Sequence, residues 1–177
     1  MKSISTKFLF EQVSGSSLGL LRILYGIFML KDFMKFYNYF VNSLSKSEFL
    51  ITYDGFHWLS ILPTPLLYFF FGLMFISCIG FILGIYYRLN AFLTFIGFTY
   101  IFLVDHGHYN NHFYLYCMLL FFFLITDANR WGSLDKQPKQ TIPYWQLFLF
   151  KFQIFVVYFY GAIAKMESDW FQGFPLR

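Results

Sequence analysis

The stretch PLLYFFFGLMFISCIGFILGIYY, residues 65–87, runs for 23 positions without a charged side chain. At a helical rise of about 1.5 Å per residue it reaches about 35 Å, enough to cross the roughly 30 Å hydrocarbon core of a bilayer. Its Phe, Leu and Ile stand in unbroken runs, without the alternation of apolar and polar positions that a barrel strand carries. The stretch reads as a membrane-spanning helix. Four more segments read the same way: Leu18–Tyr39, Leu89–Val104, His112–Thr126 and Tyr144–Lys165. The expected fold is therefore all-α, an integral membrane helical bundle of about five transmembrane helices forming one domain over residues 1–177. The third and fourth spans, 16 and 15 residues long, barely reach across hydrocarbon, so local thinning of the membrane or helix ends buried in protein is expected.

Composition agrees with this reading. Of the 177 residues, 58% are hydrophobic, 26% aromatic and only 12% charged, with a mean hydropathy of +0.55, outside the range of soluble globular domains. The net charge of +4 comes from basic residues scattered singly along loops and helix ends, so no nucleic-acid partner is expected and membrane lipid is. Cys78 and Cys117 sit in apolar runs without CxxC spacing and read as packed small side chains. Residues 1–17 hold too short an apolar patch, interrupted by Glu11 and Gln12, for a cleaved signal, and read as a cytoplasmic tail.

Orientation follows the placement of Lys and Arg. With the N-terminus inside, Lys2, Lys7, Arg88, Arg130, Lys136 and Lys139 face the cytoplasm, while Lys31, Lys35, Lys46, Lys165 and Arg177 face outward. Lys31 and Lys35 belong to the first span, which sharpens the bias. The expected location is a multi-pass position in the cell membrane, the inner membrane in a bacterium. Five spans also place the 106–112 connection and the Lys165 end of the last helix on the same side.

Polar residues at membrane depth are costly and mark candidate sites. DHGHYNNHFYLY, residues 105–116, is the densest such cluster. Asn110 and Asn111 suit the cap of the fourth helix with His112 in its first turn; equally, the histidines offer a group that titrates near neutral pH. His106 and His108 are close together, but no acidic or histidine pair at i, i+4 spacing completes a metal set, and no metal is expected. Lys165 ends the uncharged run QIFVVYFYGAIA. It reads as a lysine snorkelling to the headgroups or as an amine held partly dry and available as a base. Arg22 and Asp32, about 15 Å apart along one helix, cannot pair with each other. Each is expected to face the bundle interior or an interface, Arg22 in a structural ion pair or headgroup contact and Asp32 also near enough to Lys31 and Lys35 for a surface contact. TDANRWGSLD, residues 126–135, reads as a structural helix exit and turn with Trp131 at the interface.

LRILYGIFMLKD (21–32), GIYYRLNAFL (84–93), VDHGHYNNHFYLYCMLLFFFLITDANRWGSLD (104–135) and QIFVVYFYGAIAKMESDW (153–170), in that order, resemble the membrane domain of vitamin K-dependent γ-carboxylases and their bacterial relatives, the horizontally transferred transmembrane domain family. The similarity runs from about Leu18 to Trp170. The resemblance implies a carbon–carbon lyase of the carboxylase type that couples oxygenation of reduced vitamin K, phylloquinol or menaquinol, to carboxylation of glutamate in a peptide or protein. In that chemistry the amine matching Lys165 deprotonates the hydroquinone, oxygen converts the anion into a far stronger base, and carbon dioxide traps the glutamate carbanion. Lys165 and His112 are the implied catalytic residues; Tyr109, Asn110 and Asn111 are the implied quinone-binding residues. Animal enzymes carry tryptophan where this chain has Tyr109, and a second lysine where it has Ala164. The family also continues past the point matching FQGFPLR with further membrane helices and a β-rich domain, so the quinol-oxidising part is expected here and the rest of the carboxylation machinery is expected to be missing. The alternative is a non-enzymatic membrane scaffold that keeps the fold. A small transporter fits less well, because the polar residues gather at one end of the bundle.

Overall fold

The computed structural model describes residues 4–46, 50–135, 139–166 and 170. Lys2, Lys136, Arg177 and the Glu-Ser-Asp of the MESDW motif lie outside the described residues. The chain forms two compact units, Val13–Ile142 and the pair Met1–Gln12 with Pro143–Arg177.

The larger unit holds four helices: α2 (Ser16–Asn42), α3 (Thr64–Leu83), α4 (Tyr87–Val104) and α5 (Asn111–Ile125). Each packs on its neighbour in sequence, α2 on α3, α3 on α4 and α4 on α5, the common arrangement of consecutive elements. The core runs through Leu18, Met29, Leu67, Phe81, Ala91, Phe98, Leu120 and Phe123, all fully buried. Between apolar helices in lipid, association depends on close packing rather than on escape from water. Phe81 meets Phe123 edge-on at 5.3 Å and Phe40 meets Phe71 at 5.8 Å. At Gly19 the backbones come so close that an added Cβ would lie 2.5 Å from the Trp131 carbonyl oxygen.

The α3–α4 turn departs from the expected boundaries. The second span was expected to end at Tyr87 and the third to start at Leu89, but α3 stops at Leu83 and α4 starts at Tyr87. Gly84 at φ 71° closes α3, with its N–H on the Phe81 carbonyl and the Ile85 N–H on the Gly80 carbonyl, the paired bonds of a Schellman motif. Tyr86, a non-glycine residue at φ 41°, donates its N–H to Asp135 at 2.8 Å. The 126–135 segment is structural, as expected: besides Asp135, Asp127 pairs with Arg88 at 2.8 Å and Ser133 donates to the Gly84 carbonyl at 2.9 Å.

In the smaller unit, α1 (Ile4–Leu9) packs on α6 (Tyr144–Ala164). Phe8 lies 4.6 Å from the Tyr144 ring, and the Tyr144 N–H donates to the Glu11 carbonyl. Along α6 the rings of Tyr144, Phe148, Phe152, Phe155 and Phe159 follow one another at 5.6 to 6.4 Å. Two three-residue strands, β1 (Gln12–Ser14) and β2 (Thr141–Pro143), with most of their residues in the larger unit, pair. Residues 1–17, read from sequence as a tail, thus carry a helix and a strand among those described.

The protein is a helical membrane protein. α3, α4 and α6, of 20, 18 and 21 residues, are long and apolar enough to cross a bilayer. α5 is shorter at 15 residues, and α2 is long at 27 but carries Arg22, Lys31, Asp32 and Lys35.

Candidate functional site

The start of α5 is built by its own side chains. α4 ends at Asp105, which is buried and accepts from the Gly107 N–H at 2.9 Å and from the Tyr39 hydroxyl at 2.7 Å. A single 3-10 turn, His106–His108, follows. Asn110 then caps α5 in extended conformation, its side-chain oxygen accepting the His112 N–H at 2.9 Å. The capping reading of Asn110 holds, and His112 is in the first turn as expected.

The cap also fixes the imidazole. His112 Nδ1 lies 2.9 Å from the same Asn110 oxygen. Because that atom already accepts a backbone N–H, the network assigns the proton to Nδ1, and in a neutral ring Nε2 is left as the lone-pair nitrogen.

The facing wall comes from α2. Asp32, Lys35, Phe36 and Tyr39 stand at i, i+3, i+4 and i+7, one stripe of a helix. Asp32 receives the Lys35 ammonium at 2.9 Å on one oxygen and the Tyr116 hydroxyl at 3.0 Å on the other. The surface contact expected between Asp32 and Lys35 is present, and the Tyr116 bond adds an inter-helix contact to it. Phe36 and Phe113 lie 4.4 Å apart. Tyr116 is held from behind by Tyr25, whose hydroxyl donates to its carbonyl at 2.7 Å. Together with Asn110 and His112, the α2 stripe, Phe113 and Tyr116 line a cavity of about 550 Å³.

Among the residues expected from sequence, the structure thus brings Asn110 and His112 together in this cavity. Asn111 and Tyr109 are exposed beside it and do not line it; the Tyr109 ring lies 6.0 Å from Phe102. Lys165 belongs to the smaller unit, where it ends α6 with its Nζ 5.0 Å from the centre of the Trp170 ring, a cation–π contact. His106 packs on Tyr53 at 4.4 Å, and the His108 side chain lies outside the described residues. Among those described, no group of three or more His, Cys, Asp or Glu is placed to hold a metal.

Sequence reasoning passed over Lys35, Phe36, Tyr39 and Tyr116 as site residues and gave Asp32 an interior or interface position or a surface contact, without a site role. The signal was available: polar or aromatic positions at i, i+3, i+4 and i+7 on the first helix, and Tyr116 one turn after His112.

Arg22 calls for a correction. It is turned to the interior, as expected, but in place of an ion pair or headgroup contact it is fully buried and donates to the carbonyls of Ala128 (3.4 Å), Ile82 (3.2 Å) and Gly132 (2.5 Å). Ile82 lies in the last turn of α3, whose unpaired carbonyls attract a cation.

No solved structure matches the chain. A sequence model described as the HTTM domain, the transmembrane domain family of vitamin K-dependent carboxylases, matches residues 10–177. With nearly the whole sequence inside that match and a helical membrane fold to go with it, the chain belongs to the HTTM domain family.

Proposed function

We propose that this chain is a vitamin K-dependent γ-glutamyl carboxylase-like membrane enzyme, crossing the cell membrane about five times with its N-terminus inside. The observation that carries the proposal is the cavity joining Asn110 and His112 to a set of aromatic rings, in a chain of the HTTM family. At about 550 Å³ it has the size of ordinary small-molecule sites, which combine apolar walls with a few convergent polar groups. Phe36 and Phe113 offer ring faces, and His112 Nε2 offers an acceptor for a hydroxyl hydrogen. This chemistry fits the head of a hydroquinone.

Reduced vitamin K, when bound, supplies together with oxygen the base strength that no protein side chain has in water, and carbon dioxide supplies the added carboxyl group. His112 accepts a hydrogen bond from a hydroxyl, oriented by its Nδ1–H bond to Asn110. Asn110 holds the imidazole while its amide nitrogen remains a donor. Tyr109 and Asn111, exposed beside the cavity, serve the ring-binding role that the resemblance assigns to them. Lys165, at the end of the apolar α6, is the proton acceptor in its neutral form, a role for which lysine is suited and arginine is not. Membrane lipid delivers the apolar quinone, and a glutamate-containing peptide or protein is the substrate.

The test uses the full chain in lipid nanodiscs with reduced vitamin K, oxygen and carbon dioxide, with and without a glutamate peptide, and follows vitamin K epoxide by chromatography. The expected outcome is epoxide formation that falls by about 10²-fold or more in Lys165→Ala, the scale of a lost general base. Epoxide at the wild-type rate in that variant removes Lys165 from the chemistry. A non-enzymatic membrane scaffold is the second reading, favoured by the exposed aromatic side chains of α6 such as Tyr158 and Tyr160. Absence of epoxide under every condition would select it.

A further inference from the structure

Tyr116 and Asp32 meet in the cavity from positions 84 residues apart in the chain. The tyrosine donates to one oxygen of Asp32 at 3.0 Å, and Lys35 donates to the other at 2.9 Å. An ionised carboxylate only accepts hydrogen bonds, so the phenol proton is committed to Asp32. The Tyr116 oxygen therefore turns lone pairs, not a proton, toward whatever enters the cavity. One turn earlier on α5, His112 is fixed in the same sense: its Nδ1 proton is committed to Asn110, which leaves Nε2 as an acceptor. Side chains four apart on a helix have Cβ atoms about 5–6 Å apart, the scale of a six-membered ring with oxygens at opposite ends.

We infer that Asp32, acting through Tyr116, makes this cavity select a ring bearing hydroxyl donors over the same ring bearing carbonyl or ether oxygens. The inference rests on the proposed quinol reading for the identity of the ring, and adds that oxidation state is distinguished by a pair of residues on α2 and α5. A hydroxyl gives its hydrogen to Tyr116 or His112. A carbonyl oxygen at the same place sets acceptor against acceptor and leaves both without a partner, the arrangement by which sites built around a hydroxyl reject analogues lacking it. Asp32 is thus a positioning residue, and Lys35 supplies its counter-charge. The same acceptors hold an oxidised product less tightly than the reduced ring.

The test is equilibrium binding to the full chain in detergent under anaerobic conditions. Three probes share one ring system: 2-methyl-1,4-naphthohydroquinone, the corresponding quinone and the bis-methyl ether. The hydroquinone is expected to bind about tenfold tighter than either of the others, the equivalent of one net hydrogen bond. In Tyr116→Phe and in Asp32→Asn, whose amide can donate and so turn the phenol proton into the cavity, the ratio falls toward one. Ether affinity does not fall, and helix content stays at its wild-type value. A structural defect alone would weaken all three probes alike and leave the ratio standing. Equal affinities in the wild-type protein overturn the inference, and so does a ratio undiminished in both variants. The two proposals fail separately: a tenfold ratio without epoxide formation removes the reaction and keeps the selection, and epoxide formation with a ratio of one does the reverse.

Discussion

Replacing Arg22 by methionine keeps an unbranched apolar stem and removes the charge and its donors. Three carbonyls lose a partner, at 2.5 Å (Gly132), 3.2 Å (Ile82) and 3.4 Å (Ala128). The longest of these bonds is weak. Counting the other two at about 1–3 kcal/mol each for a buried acceptor left unsatisfied gives about 2–6 kcal/mol. At about 2–4 °C per kcal/mol for a chain of this size, a loss near 4 kcal/mol lowers the melting temperature by about 8–16 °C. Circular dichroism at 222 nm in one detergent at one scan rate reads the change, and Arg22→Lys provides the control. Lysine keeps the charge but has no planar fork to reach several carbonyls at once, so it recovers about half of the loss or less. A shift under about 3 °C in Arg22→Met would mean that these bonds contribute little beyond what water or lipid supplies, refuting the reasoning.

The glycines give a contrast within one fold. Gly19→Ala drives a methyl to 2.5 Å from the Trp131 carbonyl oxygen, whereas nothing lies within 4 Å of a methyl at Gly72. The first substitution is expected to cost about 1–3 kcal/mol, and the second to stabilise α3 by about 0.5–1 kcal/mol; the order of their melting temperatures checks both. Tyr53, in the loop before α3, has a hydroxyl that finds no hydrogen-bond partner among the described residues, so Tyr53→Phe is expected to gain about 1 kcal/mol at pH 7. Burial, and then the neighbouring Tyr109 and Asp105, push the Tyr53 phenol above its ordinary value. The unfolded phenol therefore loses its proton first: the stability contribution is complete below about pH 10 and declines as pH rises past it. Melting curves from pH 7 to pH 11 are expected to show a shallower alkaline decline in Tyr53→Phe than in the wild type.

Three of the helices were legible because uncharged runs of 15 to 23 residues leave few other structures possible in a membrane. Their ends were less so. Tyr86 at φ 41° is held by Asp135, 49 residues away, and no local pattern around Tyr87 announces that support. Half of the cavity was legible for the same reason as the helices, since the Asn110 cap and His112 are neighbours in sequence. The other half lies on α2, where Asp32 and Lys35 read as a surface pair until the fold sets Tyr116 against them. Arg22 was recognised as a residue turned to the interior or an interface, but its partners are backbone carbonyls, which carry no letter in the sequence.

The long reach of Arg22 has a consequence for biogenesis. Its bonds run to residues 60, 106 and 110 positions later in the chain. At about 5–20 residues per second, the ribosome reaches Gly132 some 5–20 s after it has passed Arg22. During that interval the nascent α2 carries a guanidinium whose final acceptors have not been synthesised. The first helix must wait in a hydrated or sheltered place, and it settles into the bilayer only when the segment after α5 emerges to receive it.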